Sequence, residues 1–287
     1  MKKPSYITHK ALQKFIQLAL EEDLQEGDHS TLSTIPKDLI QKAQCIIKEE
    51  CIVAGIALAE QIFKTLDKNV SVEIYIKDGE SAKAGDIAFT VTGKAQAILQ
   101  AERLMLNCMQ RMSGIATLTH DWDSRLVGTK TKLLDTRKTT PNFRICEKWA
   151  VAIGGGTNHR YGLYDMIMLK DNHIDYNGSI TNAVKMCKEY LKKNKKKLKI
   201  EVETRNLEEV QEAIDAKVDR IMLDNMTVAM MRKAVKLIDG RCETEASGGV
   251  TRAMLKEIAA TGVDYISAGA LTHSAKNIDI SLKAVRQ

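Results

Sequence analysis

Several features of other protein classes are scarce or missing in this sequence of 287 residues. No apolar run approaches the ~18 residues of a membrane-spanning helix, and the basic start MKKPSYITHK is not followed by the apolar segment of a signal peptide. The six cysteines lack the close spacing to each other or to histidine that marks a zinc site. We therefore expect a cytoplasmic protein with free thiols and no membrane partner.

Proline is also rare, with 3 residues, and aromatic residues make up 5% of the chain, whereas 44% of the residues are hydrophobic. This content suffices for one large core or two ordinary ones. The net charge of +6 equals the six lysines between positions 192 and 199, a tract whose neighbourhood offers one aromatic residue, Tyr190. We interpret the tract as a solvated helix end and loop and predict no nucleic-acid partner. RNA binding is the alternative, because lysine runs also occur in such footprints.

The N-terminal part of the chain has the pattern of an α+β domain. Apolar spacing over 10–24 predicts a helix, and short alternating runs at 44–47, 52–54, 70–76 and 86–91 predict strands of an open sheet. A second helical pattern over 95–119 is expected to break or end near Ser113 and Gly114. We set this domain at residues 1–115, with a C-terminal helix over 275–287 as a candidate addition.

Residues 116–274 repeat a pattern of strand followed by helix. Strand candidates end near positions 135, 169, 202, 223, 245 and 267, and amphipathic helical faces separate the later ones. The spacing of about 21 to 22 residues between successive units is that of short parallel strand–helix repeats. The predicted fold class is α/β, with an N-terminal α+β open-sheet domain followed by an incomplete TIM-like α/β barrel.

Functional groups of parallel barrels collect at the carboxyl ends of the strands. Cations follow the first two strand candidates, as Arg137, Lys138 and Lys170, and acids follow the next two, as Glu203 and Asp224. The two acids have two interpretations, because each can cap a helix or bind a divalent metal or sugar hydroxyls. For a metal, Mg²⁺ fits better than zinc, since the ligands are oxygens.

The last two turns, EASGGVT and ISAGALTHS, are rich in small residues. Backbone N–H groups of such turns bind phosphate in many barrels, since glycine lets the backbone approach the ligand. A single SGG is also typical of a plain turn, so the presence of two turns in successive units is what favours phosphate. The predicted phosphate-binding residues are Ser247, Gly248, Gly249 and Gly269.

The segment from 134 to 173 is dense in cations beside apolar, strand-like runs. Its cations are Arg137, Lys138, His159, Arg160, Lys170 and His173. Together they would leave an uncompensated positive field unless an anion with several charges binds there. Arginine forks beside compact charges suit carboxylate or diphosphate oxygens.

These segments resemble the quinolinate phosphoribosyltransferase family, also called nicotinate-nucleotide pyrophosphorylase (carboxylating), of the type II phosphoribosyltransferases. The resemblance is carried by AERLMLNCMQRMSGIATLT, LLDTRKTTPNFRICEKWAV, GGGTNHRYGLYDMIMLKDNHI, IEVET, LDN, EASGGVT and SAGALTH. One departure is Gln25, which stands where a glycine is common in the family. The resemblance implies condensation of quinolinate with phosphoribosyl pyrophosphate (PRPP) and loss of the 2-carboxylate. The products would be nicotinate mononucleotide, CO₂ and pyrophosphate, in de novo NAD biosynthesis.

The resemblance also implies roles for individual residues. The quinolinate carboxylates would be bound by Arg103, Arg137, His159, Arg160 and Lys170. PRPP would be bound by Lys138, His173, Glu203, Asp224, Ser247, Gly248, Gly249 and Gly269. The catalytic residues would be Lys138, Glu203 and Asp224, of which Glu203 and Asp224 would also bind Mg²⁺. The family is further expected to form a homodimer in which Arg103 reaches the site of the neighbouring subunit.

Two other enzyme functions stay open. A phosphoribosyltransferase of the same fold with another acceptor, including the molybdate-associated relatives of the family, is the nearest alternative. The full set of five quinolinate-binding cations argues against it, because a monocarboxylic ring needs fewer charges. A sugar-phosphate aldolase would need a lysine that forms a Schiff base, for which Lys170 is the candidate.

Overall fold

The computed structural model describes residues 3–285 and divides into two compact units. The first unit comprises Met1–His120, Thr139–Gly155 and Leu271–Gln287, and the second comprises Asp121–Lys138 and Gly156–Ala270. The first unit thus includes 139–155, a segment that lies inside the 116–274 barrel region of the sequence-based division.

Helices and strands are numbered along the chain. The helices are α1 (His9–Leu24), α2 (His29–Thr34), α3 (Ile56–Leu66), α4 (Ala95–Asp123), α5 (Arg144–Ile153), α6 (Asp171–Asn177), α7 (Ile180–Lys193), α8 (Leu207–Asp215), α9 (Val228–Ile238), α10 (Leu255–Ala259) and α11 (Ala270–His273). The strands are β1 (Ile40–Ile47), β2 (Cys51–Ile52), β3 (Ser71–Ile74), β4 (Ser81–Ala82), β5 (Ile87–Lys94), β6 (Lys132–Leu134), β7 (Ile167–Leu169), β8 (Ile200–Thr204), β9 (Arg220–Asp224), β10 (Glu243–Ser247), β11 (Tyr265–Ser267) and β12 (Ile280–Ala284).

The predicted first helix is confirmed as α1. The hydroxyl of Thr8 accepts the Ala11 N–H at 3.1 Å and so caps its amino end. At the other end Gln25 has φ 44° and ψ −116°, a backbone conformation that favours glycine. The Gln25 side chain donates to the Glu21 carbonyl at 2.7 Å. Gln25 therefore adopts a backbone conformation that a glycine, the residue common at this position in the family that the sequence resembles, would adopt more easily.

The C-terminal helix predicted over 275–287 is wrong. The chain forms strand β12 there, and β12 pairs with β1 in the antiparallel sheet β12-β1-β5-β3. Ile280 and Leu282 are buried while Ser281 between them is only half-buried, which is the period of a strand rather than a helix. The end of the predicted segment, 286–287, lies outside the described residues.

The break predicted near Ser113 and Gly114 is also wrong, because α4 runs without interruption from Ala95 to Asp123. The two small residues serve close contacts instead. The Ser113 hydroxyl bonds to the N–H and the carbonyl of Ala54, at 3.0 and 3.2 Å. A Cβ atom on Gly114 would lie 1.9 Å from the carbonyl oxygen of Lys276, so only glycine fits.

The second unit contains a six-stranded parallel sheet of order β6-β11-β10-β9-β8-β7. An isolated bridge between Leu134 and Thr157 extends it beyond β6. Helices α8, α9 and α10 follow as the repeats predicted, α7 lies between β7 and β8, and six strands replace the eight of a complete barrel. The α/β prediction, with an antiparallel N-terminal sheet and an incomplete barrel, is confirmed.

Strand register decides which side chains share a face of this sheet. Glu201 pairs with Arg220 and Arg220 with Glu243, so these three residues form one row across the sheet. The next row on the same face contains Glu203 and Glu245, each paired with Met222. One face of the sheet is therefore charged along its length, up to the predicted site at its carboxyl edge.

Candidate active site

Cations and acids meet at the carboxyl edge of the sheet in the second unit. Lys170 follows β7 directly, and its Nζ lies 3.3 Å from Oε2 of Glu203 near the end of the neighbouring strand β8. Lys170 is exposed, whereas the Glu203 carboxyl is mostly buried. The Lys170 amine is engaged by a carboxylate, which makes it less available for the Schiff-base chemistry of an aldolase.

Glu203 and Asp224 form an acidic pair on adjacent strands. Burial raises the pKa of Glu203, the Asp224 carboxylate raises it further, and Lys170 opposes the shift. Asp224 ends β9, stands opposite Ser247 of β10, and accepts the Asn225 side-chain amide at 2.6 Å. Two carboxylates that repel each other at the mouth of a sheet suit a cation or hydroxyl groups of a ligand.

The glycine turn after β10 is packed against the turn after β9. The N–H of Asn225 donates to the Ser247 carbonyl at 2.9 Å, and Asn225 itself has φ 54°. A Cβ atom on Gly248, where φ is 91°, would lie 2.3 Å from Oδ1 and 2.8 Å from the backbone nitrogen of Asn225. Gly248 is thus required by both conformation and space, and the next residue, Gly249, is exposed with φ 58°.

Two arginines lie in loops of the second unit. Arg137 lies in the loop after β6 and Arg160 in the loop before β7, and both are half-buried. Burial lowers the pKa of Arg160, and the positive charge of Arg137 lowers it further. Arg160 also donates from Nη1 to the Met166 carbonyl at 3.2 Å. Like charges held together at the edge of a buried sheet create a site for an anion.

His159 is buried, and its ring lies beside carboxylates of strands β8 and β10. Its Nε2 lies 3.2 Å from Oε2 of Glu201 and 3.2 Å from Oε2 of Glu245. Its Nδ1 accepts the backbone N–H of Arg160 at 2.6 Å. The backbone N–H of His159 donates in turn to Oδ1 of Asp135 at 2.7 Å, directly after β6. Both ring nitrogens are therefore engaged within the protein.

The charges around His159 nearly balance. Arg220 contacts Oε2 of Glu245 at 3.0 Å, so two buried carboxylates face one guanidinium and the imidazole. Burial lowers the pKa of His159, but its contacts with Glu201 and Glu245 outweigh this and raise it to about 9. Burial, assisted by Glu245, raises the pKa of Glu201 to about 7. The hydrogen bond that Nδ1 accepts leaves the ring with one proton, on Nε2, so a proton on Glu201 neutralises the cluster.

The trio of His159, Glu201 and Glu245 has ligand atoms within 4.8 Å of one another, as in a metal site. The hydrogen bond from Arg160 to Nδ1 argues against a metal there, because it requires the proton to be on Nε2. A histidine that binds a metal through Nε2 instead donates from its other nitrogen to an acceptor. The trio is therefore a buried charge cluster in which Nε2 of His159 faces two carboxylates.

The other predicted residues lie in four places. Lys138 is exposed, and its N–H donates to the Thr136 hydroxyl at 3.0 Å in the loop after β6. His173 accepts the Lys170 N–H on Nδ1 at 3.1 Å, within the first turn of α6. Gly269 follows β11, and Arg103 is exposed on α4 of the first unit. The second unit thus holds every predicted site residue except Arg103.

Sequence reasoning missed the residues inside the sheet. Glu201 and Glu245 stand within IEVET and ETEAS, two positions before Glu203 and Ser247, and Arg220 is the first residue of RIMLD. A parallel strand covered on both faces is normally apolar throughout, so a buried charge in its interior is a signal. Attention to alternate positions within these strands would have found the cluster.

The cysteines supply no candidate nucleophile. All six are free thiols, and four of them are buried. Burial raises the pKa of Cys45 and Cys108 to about 12 and that of Cys51 and Cys242 to about 11. Thiols with such pKa values carry almost no thiolate at neutral pH.

Comparison with known proteins identifies the family of this chain. Residues 28–113 match the N-terminal domain and residues 115–283 the C-terminal domain of quinolinate phosphoribosyl transferase. This chain belongs to the quinolinate phosphoribosyltransferase family. It is 48% identical over 299 residues to quinolinate phosphoribosyltransferase [decarboxylating] 2, mitochondrial, of Nicotiana glauca, covering 99% of this chain and 84% of that protein. It is 42% identical over 276 residues to the probable nicotinate-nucleotide pyrophosphorylase [carboxylating] of Bacillus subtilis, covering 96% and 94% of the two chains.

Solved structures of the family share the fold over the full chain. NadC from Streptococcus pyogenes has a TM-score of 0.91 at 36% identity, covering 99% of this chain and all of that one. The nicotinate-nucleotide pyrophosphorylase from Francisella tularensis has a TM-score of 0.90 at 38% identity with the same coverage. Within residues 3–285, no helix is long and apolar enough to cross a membrane.

Proposed function

We propose that this protein transfers the phosphoribosyl group of PRPP to quinolinate and removes the 2-carboxylate, giving nicotinate mononucleotide, CO₂ and pyrophosphate. The observation that carries the proposal is the grouping of cations with an acidic pair in the second unit, where Arg137 and Arg160 lie half-buried in the loops beside β6 and β7 and Glu203 and Asp224 stand at the carboxyl edge of the sheet. Lys170 adds a third cation at the edge of the same parallel sheet. Quinolinate bears two adjacent carboxylates, which match this arrangement better than a single carboxylate does.

The two carboxylates at the carboxyl edge of the parallel sheet suit the hydroxyl groups of the ribose. Glu203 and Asp224 lie beside the turn of Ser247 and Gly248, whose backbone would receive the 5′-phosphate together with Gly249 and Gly269. Lys138 and His173 would hold the pyrophosphate. Mg²⁺, bound by Glu203 and Asp224 with the diphosphate oxygens, would neutralise negative charge on the leaving group.

The reaction follows from this division of charge. Fixed cations cancel the repulsion between a dicarboxylate and a diphosphate and orient the pyridine nitrogen at the anomeric carbon. As that nitrogen forms its bond, the bond to pyrophosphate breaks, and the carboxylates of Glu203 and Asp224 stabilise the positive charge on the ribose. The ribosylated nitrogen then accepts the electron pair released when CO₂ leaves, and the ring carbon takes a proton from solvent. No protein base is needed for this step.

The test is to measure quinolinate and PRPP binding separately by calorimetry. Arg137→Ala should lower quinolinate affinity about 100-fold, as expected for a bidentate charged contact, and leave PRPP affinity within about twofold. Arg232→Ala, on the exposed face of α9, is the matched control and should change neither affinity. Equal loss of both affinities in Arg137→Ala would contradict the division proposed here. Preferred binding of nicotinate would indicate a related enzyme with another acceptor.

Mg²⁺ is tested by PRPP calorimetry with and without EDTA. We expect PRPP binding to weaken about tenfold or more without the metal, and to lose its dependence on Mg²⁺ in Asp224→Asn. PRPP binding that is independent of Mg²⁺ in the unchanged protein would contradict the assignment of Glu203 and Asp224.

We further propose an active homodimer completed by Arg103. Arg103 is exposed on α4, so it is available to a second copy of the chain. Mixing inactive Arg103→Ala with inactive Arg137→Ala and allowing subunits to exchange should restore roughly a quarter of the activity, because half of the dimers then carry one intact site. No recovery in exchanged dimers would show that Arg103 does not act across the interface.

The proposed compartment is the cytoplasm. The support is the set of six free thiols, which persist in a reducing environment. The Nicotiana glauca relative is named mitochondrial, so imaging of a tagged protein in the source cell is the test. Location in an organelle would refute the proposal.

A further inference from the structure

The cluster of His159, Glu201, Glu245 and Arg220 adjoins the site at the carboxyl edge of the sheet, because Glu245 stands in the row of Glu203 and Glu201 and Arg220 stand in the row before it. All four residues are buried, with exposed fractions of 8%, 0%, 0% and 8%. Burying this many charges is costly unless each is paired, so the cluster needs a role beyond stability.

The cluster connects to the site through the backbone of Arg160. The Arg160 N–H bonds to Nδ1 of His159 at 2.6 Å, while Nε2 of the same ring faces the two glutamates. The preceding N–H, of His159 itself, bonds to Asp135 at 2.7 Å. Two consecutive peptide groups are thus fixed by buried side chains just where the chain presents the Arg160 guanidinium.

Arg220 holds the far side of the cluster. Its Nη1 contacts Glu245 at 3.0 Å, its Nη2 contacts Glu243 at 3.0 Å, and its guanidinium carbon lies 4.1 Å from the centre of the Tyr265 ring. The Glu245 carboxylate is therefore clamped between Arg220 and His159. A rotation of the His159 ring would have to break a contact at each nitrogen.

We infer that Glu201, Glu245 and Arg220 are positioning residues that hold His159 inside the sheet, and that His159 thereby sets the backbone at Arg160 for substrate binding. In this role His159 acts from behind Arg160 instead of contacting the quinolinate carboxylates itself. The inference rests on the proposed function for its ligand. Its structural part, the restraint on the Arg160 amide, does not depend on the ligand.

The experiment compares two isosteric changes on one strand. Glu245→Gln removes the charge that faces His159, whereas Glu243→Gln removes a half-buried charge that shares the Arg220 contact but lies away from His159. Hydrogen exchange without substrates should become about tenfold faster at the Arg160 amide in Glu245→Gln only. Quinolinate affinity should fall about 10-fold to 100-fold in the same variant, with PRPP affinity within about twofold.

The outcomes separate the two ideas. A wild-type protein that binds no quinolinate refutes the proposed function, while the exchange data still test the restraint. The inference is overturned if hydrogen exchange at the Arg160 amide is unchanged in Glu245→Gln. It is also overturned if the wild-type protein binds quinolinate and Glu245→Gln exchanges faster at Arg160 but binds quinolinate equally well. If Glu245→Gln does not fold, Glu201→Gln replaces it, because that change keeps the Arg220 contact. Failure of both to fold would show a requirement for folding and would also overturn the inference.

Discussion

Replacement of Arg220 should lower the free energy of unfolding, because it leaves a buried carboxylate without its guanidinium partner. Arg220→Met keeps most of the aliphatic stem but deletes the contacts to Glu245 and Glu243 and the stacking on Tyr265. Glu245 is fully buried and would keep the contact with His159 but lose its contact with a guanidinium, while the Glu201 carboxylate stays nearby. Breaking a buried ion pair from one side costs about 3 to 5 kcal/mol, so we expect the free energy of unfolding to fall by about 4 kcal/mol.

The double variant makes this estimate testable. In Arg220→Met with Glu245→Gln both charges are gone, and we expect a total loss of about 2 kcal/mol, less than in Arg220→Met alone. Urea unfolding followed by circular dichroism and by tryptophan fluorescence measures each free energy. A loss below about 1 kcal/mol in Arg220→Met, or a double variant whose loss equals the sum of the single losses, would refute the reasoning.

Three further predictions concern single positions. Arg160→Gln keeps a hydrogen-bond donor but removes the repulsion from Arg137. The free energy of unfolding of the unliganded protein should therefore rise by about 0.5 kcal/mol in low salt and stay unchanged in about 1 M salt, and quinolinate affinity should fall. Gly248→Ala would place its Cβ 2.3 Å from Asn225, so the KM for PRPP should rise about tenfold or more with little change in the KM for quinolinate. Gln25→Gly should raise the unfolding free energy by about 1 kcal/mol, because φ at this position is 44°. Steady-state kinetics and urea unfolding check these values, and a change of opposite sign would contradict each one.

The elements that local periodicity determines were predictable from the sequence. The amphipathic pattern of α1 and the repeated strand–helix units led to the fold class, because one face of each element must be apolar. The strand ends were also predictable, since a buried parallel strand stops where polar residues begin. This is why the sequence alone predicts Lys170, Glu203 and Asp224 at one edge of the sheet, where the structure has them.

The features that depend on distant partners were not predictable. Strand β12 forms because it pairs with β1, and the sequence of 275–287 carries no information about that partner strand. The contact of His159 with Glu201 and Glu245 requires strands β8 and β10 to be in the correct register. It also requires the loop before His159 to be held at β6 by the bridge between Leu134 and Thr157. The cluster therefore joins residues from parts of the chain that carry no shared local signal.

The central claim is the coupling of phosphoribosyl transfer to decarboxylation. The most direct measurement incubates the purified protein with PRPP, Mg²⁺ and quinolinate labelled in its 2-carboxylate, and follows labelled CO₂ and pyrophosphate together. We predict that the two products appear in equal amounts and that neither forms when quinolinate or PRPP is omitted. Pyrophosphate without labelled CO₂, or transfer to nicotinate in preference to quinolinate, would contradict the claim.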